Sequence, residues 1–523
     1  MKSATFKLGI LLLLFGAIFF FGCQPSTVNK TEKTERFPNI DPDYTNVTVP
    51  YNIAPLNFAI KEPGKSFSLS VLSDEGSELF NLKSSDGMVQ FPEKKWRKIL
   101  DKNRGHKLDI QISCLTGDES IIKNIFQSFS LMVSEDPIDP YLVYRIIHPG
   151  YYSWSNIKIE QRSLSSFRTE SVIENQMIDK NCVNCHSFNK NNPDEFLIHI
   201  RGTKGGTYFS DENKILKTNL KTENMPGGAT YPTWHPGGRF VAFSSNQVRQ
   251  SFYAHREKSI EVYDLISSLI LYDRQNNEIT NITTQDTINP LQTFPSWSAD
   301  GKYLYFCRAV QDQTNSGRDI NDIRNIQYDL VRKPFQEETK LFGETEMVFN
   351  ASAQNKSVSF PRISPNGRFL IFTLQDYGTF PIWHEEADLF IIDLQSGKVT
   401  ELEVNSNKTE SYHAWSSNGR WLVFSSKRMD GRSARPFFAH IDENGKAGKP
   451  FVLPQKKPTH YQTMLESFNI PELIGGKIKF SSRNFATAVN QEAIQGKMTG
   501  ETSTIKIIKT ENKNISEDKG IHE

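Results

Sequence analysis

Four stretches of the chain repeat one another, and an internal repeat constrains a fold more than any other feature of a sequence. They are YPTWHPGGRFVAFSSN (Tyr231 to Asn246), FPSWSADGKYLYFCRA (Phe294 to Ala309), FPRISPNGRFLIFTLQ (Phe360 to Gln375) and YHAWSSNGRWLVFSSK (Tyr412 to Lys427). Each opens on an aromatic residue, usually reaches a Trp three places on, turns on a glycine and enters a dense apolar run. Asp300-Gly301, Asn366-Gly367 and Asn418-Gly419 supply the positive-φ residues of tight turns, and Gly237-Gly238 serves the first copy. The runs that follow, such as Phe369-Leu370-Ile371-Phe372, are short, apolar and aromatic, as buried strands are. A second strand pair follows some copies: Leu389 to Asp393 runs into Ser396-Gly397-Lys398, and Phe438 to Asp442 into Asn444-Gly445-Lys446.

Four short strands per unit, recurring at about 50 to 65 residues, form the pattern of a β-propeller blade. The predicted fold class is all-β, a propeller of six or seven blades over 205–480, with Gln311 to Glu338 as an inserted stretch. The repeats resemble the WD-like blades of TolB-type propellers, and Phe424 to Gly431 (FSSKRMDG) resembles that family's strand-end loop. The resemblance implies six blades. Propellers of this type also precede the catalytic domain of prolyl-oligopeptidase enzymes. Here too little chain follows the last blade for such a domain, and no G-x-S-x-G elbow is present. Phe451 to Phe480 carries the apolar residues needed to close the ring, and 481–523 reads as a polar tail, most strongly charged after Lys506.

Ahead of the repeats the text differs. Lys2 and Lys7 precede the apolar run Leu8 to Phe21, which is short for a bilayer span and ends in Gly22-Cys23. This resembles a bacterial lipoprotein signal, with Phe20 where Leu is usual. The resemblance implies cleavage after residue 22, lipid on Cys23 and, from Gln24, an outer-membrane address in the cell envelope. Residues 23–45 are then a flexible tether. Val47, Val49, Phe58, Ile60, Phe67, Leu69 and Val71 alternate with other residues, as do Leu108, Ile110 and Ile112, so 46–135 reads as a small β-sandwich-like domain. Cys114 and Cys307 lie in strand-like runs and read as inert buried thiols.

The connecting segment 136–204 holds Cys182-Val183-Asn184-Cys185-His186, the C-x-x-C-H pattern of covalent haem attachment. Two thiols spaced this way can add to the two vinyl groups of haem, and the adjacent His then reaches iron as proximal ligand. An exported C-x-x-C disulfide with an incidental His, half a zinc site, which lacks a second Cys pair, and a degenerate remnant that receives no haem are the other readings. Thr169 to Asp179 has helical spacing of Val172, Ile173 and Met177, so a short helical insertion capped by Thr169 is expected around the motif. His199 or Met177 is the expected distal ligand, with His235 and Met225 further along, and Phe188, Phe196, Leu197 and Ile198 are expected at the haem edge.

Composition closes off other classes. With 61 Lys+Arg against 60 Asp+Glu the formal charge is +1, which excludes a dedicated nucleic-acid binder. No H-E-x-x-H occurs, Gly202 to Thr207 lacks the order of a phosphate loop, and His384-Glu385-Glu386 reads as a solvated loop. The arrangement resembles a group of envelope proteins of Bacteroidetes-type bacteria. The expected function is therefore that of a non-enzymatic, membrane-anchored lipoprotein with one c-type haem, in electron transfer or haem-linked binding of an envelope partner on the propeller face. A haem-free protein- or glycan-binding scaffold is the alternative. A peroxidase-type haem enzyme is a third and weaker one, because it needs an open iron position.

Overall fold

The structure is a computed structural model that describes residues 28–117, 120–149, 156–223, 225–253, 258, 260–282, 290–310 and 323–499. Cys23 and the signal-like run before it lie outside these residues. Among the described residues no helix is long and apolar enough to cross a membrane.

Six sheets of at least four strands form the blades of a ring. Blade 1 runs outward through Cys182–Phe188, Phe196–Arg201, Gly206–Asp211 and Lys214–Asn219. Blades 2 to 5 begin with Ala229–Trp234, Pro290–Trp297, Ser357–Ile363 and Glu410–Trp415, the strands that open the four sequence repeats. Blade 6 takes its inner strand, Ser467–Ile474, from the far end of the chain. Its outer three are Tyr141–Ile147, Lys158–Ser163 and Thr169–Glu174. The ring therefore closes by joining the two ends of the chain, as the apolar residues after Phe451 lead one to expect. Ile494–Gln495 and Lys497–Thr499 then add parallel fifth strands to blades 1 and 2, so part of the stretch read as tail is strand.

The repeat has a physical explanation in the inner strands. Each one skips two residues against its neighbour, giving a bulge at Tyr231-Pro232, Phe294-Pro295, Phe360-Pro361, Tyr412-His413 and Ile470-Pro471. The first residue of each pair has a positive φ, between 45° and 53°. The four aromatics meet: ring centroids lie 4.5 Å apart for Tyr231–Phe294, 4.0 Å for Phe294–Phe360 and 4.8 Å for Phe360–Tyr412. They plug the middle of the ring. The Trp three places on ties blades together, Trp234 Nε1 donating to Ser187 O at 3.2 Å and Trp415 Nε1 to Arg362 O at 3.2 Å.

The front domain is a seven-stranded sheet with a three-stranded sheet against it, built around the paired strands Ser66–Ser73 and Lys107–Thr116. The alternating residues Phe67, Leu69, Val71, Leu108, Ile110 and Ile112 all point into its core. Helix Glu93–Lys102 buries Trp96, Ile99 and Leu100 against the domain. Its core runs on into blade 5, where Trp421 Nε1 donates to Asp136 O at 3.1 Å and Ser417 N to Asp139 Oδ2 at 2.7 Å.

Several boundaries differ from the sequence reading. Lys30–Lys33 and Ile40–Asp41 are strands and Tyr44 is buried, so the sheet claims much of 23–45. The propeller begins at Tyr141 rather than 205, which makes most of the expected connecting segment blade. Asp329–Gln336, inside the stretch read as an insertion, is the third strand of blade 3, while 311–322 lies outside the described residues. Thr169–Glu174 is strand, with only the 3-10 turn Asn175–Ile178 supplying helical structure before the Cys motif. β-Branched Thr169, Val172 and Ile173 suit a strand better than a helix, and that preference prevailed over their spacing.

Candidate functional site

The C-x-x-C-H motif is the innermost strand of blade 1, at the seam where the ring closes. Cys182 pairs with Arg201, Val183 with Ile200 and His186 with Ile198, and the bulge falls on Asn184-Cys185. Blade 1 thus carries Asn184 where blades 2 to 5 carry an aromatic, and Cys185 where blades 2, 3, 4 and 6 carry Pro. Asn184 is held by Arg145, a fully buried guanidinium whose Nη1 donates to Asn184 Oδ1 at 2.8 Å and whose Nη2 donates to Asn469 Oδ1 at 2.7 Å.

Cys182 is half-buried and Cys185 is 4% exposed, and the two thiols are not bonded to each other. Burial pushes the Cys182 thiol above its ordinary value. His186 is 2% exposed, and neither ring nitrogen has a hydrogen-bond partner. The backbone of Ile470 is close enough to pull the imidazole back upward, the smallest of the influences on it. Burial, with the nearby Arg145 charge, lowers the imidazole to about 3, so it is neutral, the form that binds a metal. Phe188 lies 6.0 Å from the ring.

In number and kind these donors fit a c-type haem: two unbonded thiols and a neutral, orphaned imidazole, in the order the chemistry needs. Because both nitrogens are closed off, anything that binds them must arrive before the seam closes or part it. Among the described residues no group of three or more His, Cys, Asp or Glu is placed to hold a metal ion.

The expected distal ligands are not brought to His186. Successive side chains of a strand point to opposite faces. His186 is opposite Ile198, so His199, the next residue, faces blade 2 instead. Its Nδ1 lies 3.3 Å from Thr207 Oγ1. Met177 is 45% exposed in the turn after the outermost strand of blade 6. Met225 packs with Leu197 and Trp234 on the blade 2 side, and His235 packs on Trp297 and Phe335. Phe188, Phe196 and Ile198 do share one core with the blade 6 side, whereas Leu197 does not.

Two features were not legible in the sequence. At the mouth of the ring a cavity of about 330 Å³ is lined by all six blades, with Arg362 and Glu472 among its walls. Burial raises Glu472 to about 7 against the pull of Arg362. His384, read as solvated, is 1% exposed and lies 2.9 Å from Glu386 and 3.4 Å from Glu261, which Lys258 also contacts at 2.7 Å. Cys114 and Cys307 are buried, as expected, and burial raises both thiols.

The strand pairing defines the class: the described chain is a six-bladed β-propeller with a β-sheet domain set against it. No protein-family model and no curated protein matches the chain. Solved structures similar to it include the Dos1 propeller, at 10% identity over 52% of this chain and 62% of that one, with a TM-score of 0.33. An oligogalacturonate lyase from Vibrio parahaemolyticus matches at 10% identity over 55% and 85%, TM-score 0.31. A nidogen/laminin complex matches at 8% over 64% and 100%, TM-score 0.36.

Proposed function

We propose that the chain is a cell-envelope lipoprotein, lipidated at Cys23 and held at the outer membrane, whose TolB-like propeller carries one c-type haem at Cys182, Cys185 and His186 and serves electron transfer to an envelope partner. The observation that carries the reading is the imidazole of His186, buried, neutral and unpaired beside two free thiols. An unsatisfied buried polar group costs about 1 to 3 kcal/mol, and native structures keep few of them without a use. Bound there, haem would supply a one-electron iron centre. The chain's own part is to present both thiols on one inner strand, to keep the imidazole neutral through burial, and to exclude water with Phe188, Phe196 and Ile198.

The test is the absorption spectrum of protein matured in a host with c-type haem machinery and denatured in alkaline pyridine. Covalent haem that disappears in Cys182→Ala/Cys185→Ala is the expected result. Folded, lipidated protein without haem overturns the reading. It leaves the second one, a protein- or glycan-binding scaffold, which the six-blade mouth cavity favours.

A further inference from the structure

The inner strands of five blades each place one residue on the wall of the mouth cavity, and at the same register. It is the first residue to resume pairing after the bulge: Thr233 in blade 2, Ser296 in blade 3, Arg362 in blade 4, Ala414 in blade 5 and Glu472 in blade 6. Blade 1 has His186 at this register and reaches the wall through Ser187 and Phe188 instead. With the bulge aromatics packed across the ring, the cavity is a cup rather than a passage.

Three of the five side chains are small. The two large ones carry opposite charges and flank Ala414, because the inner strands of blades 4, 5 and 6 are consecutive neighbours. Arg362 and Glu472 feel each other's charge, yet neither a hydrogen bond nor an ion pair joins them. Arg362 Nη1 donates instead to Pro361 O at 3.1 Å. Both side chains are half-buried, so each keeps some surface open. Charges drawn partly out of water and left unjoined are costly, and a ligand that offers each its counter-charge removes that cost. A plain anion would meet Arg362 and be repelled by Glu472, and a plain cation would meet the reverse. A zwitterion satisfies both and adds no net charge. The volume of about 330 Å³ falls at the lower end of small-molecule sites, about 300 to 1,000 Å³, and Phe188, Trp297 and Ile363 add apolar wall for a side chain.

We propose that the mouth cup binds a free α-amino acid, its carboxylate on Arg362 and its ammonium on Glu472, spanning Ala414. Such a site rests on the second reading above, a mouth that binds ligands, and is independent of haem.

The experiment is isothermal titration of the full chain with each of the common L-amino acids in turn, and with the deaminated and the decarboxylated analogue of the tightest one. Saturable 1:1 binding of at least one amino acid is expected, with both analogues at least tenfold weaker. Arg362→Gln and Glu472→Gln each weaken it at least tenfold. Should either fail to fold, Ala414→Leu, which fills the span between them and changes no charge, weakens it likewise. Lys398→Gln, on the outer strand of blade 4, leaves it unchanged. Absence of binding by every amino acid at millimolar concentration overturns the proposal, as does equal affinity for an analogue that lacks one charge. Titration with maltotriose, a neutral saccharide, separates the two failures: saccharide binding without amino-acid binding sinks the amino-acid site and leaves a glycan-binding mouth standing.

Discussion

Blades 2 to 5 and blade 1 occupy equivalent places in one ring, yet their inner strands do different work. In blades 2 to 5 the residue at the bulge is aromatic and fills the channel, and in three of them a Trp follows three places on. In blade 1 the same bulge carries Asn184 and Cys185, fastened by the buried Arg145 and followed at once by His186. Where the pattern repeats, the residues explain themselves as packing. Where it lapses, polar and ligating groups sit in a buried seam that apolar residues would stabilise better. Departure from a repeat is thus the sharper guide to function.

The largest expected effect breaks the comparison at its strongest side. Phe360→Ala removes the ring that touches both Phe294 and Tyr412, and should cost about 3 to 5 kcal/mol in denaturant unfolding. Asn184→Ala, at the same register in blade 1, removes an acceptor from a charged donor and should cost about 1.5 to 3 kcal/mol. Equal losses at the two sites would show that blade 1 is merely another packed blade.

A second prediction concerns pH. His413 stands in blade 5 where blade 1 has Cys185. It is buried, hydrogen-bonded through Nε2 to Ile371 O at 3.0 Å, and lowered by burial to about 3. A histidine whose folded pKa lies below its unfolded value near 6.5 contributes stability that is complete above pH 6.5 and is lost as pH falls toward 3. His413→Gln should flatten the stability profile across that window, measured by urea midpoints at successive pH values. An unchanged slope would refute the assignment.

The smallest effect sharpens the comparison among the regular blades. Trp234 Nε1 donates across to Ser187 O of blade 1, whereas Trp297 Nε1 has no partner. Trp234→Phe should therefore cost about 1 kcal/mol more than Trp297→Phe in matched unfolding curves.

The regular blades were legible because turn glycines and aromatic bulges are local signals. Of the closing blade only the apolar closing stretch was legible, because its inner strand Ser467–Ile474 pairs with Tyr141–Ile147, a partner no local pattern announces. The Cys motif announced its chemistry and hid its setting. Residues 169–179 mix β-branched side chains with a spacing that also suits a helix, and only pairing with Lys158–Ser163 decides for strand. His199 was a fair candidate by distance along the chain and failed by the alternation of strand faces. His384 read as solvated because its neighbours Glu385 and Glu386 are charged, while Glu386 folds back onto it and its second partner, Glu261, comes from blade 2.

The ring's closure also sets a clock. A chain made from its N-terminus completes Cys182–Phe188 long before Ser467–Ile474, the strand that lies beside it and is tied to it by Asn191 Nδ2 donating to Leu473 O at 2.7 Å. Ring closure has to wait until that last strand docks. Until it does, the motif's thiols and imidazole stand on an unfinished edge. Once the last strand docks, Cys185 and His186 are closed off, so any group that joins them has to enter before that strand arrives or with the seam parted.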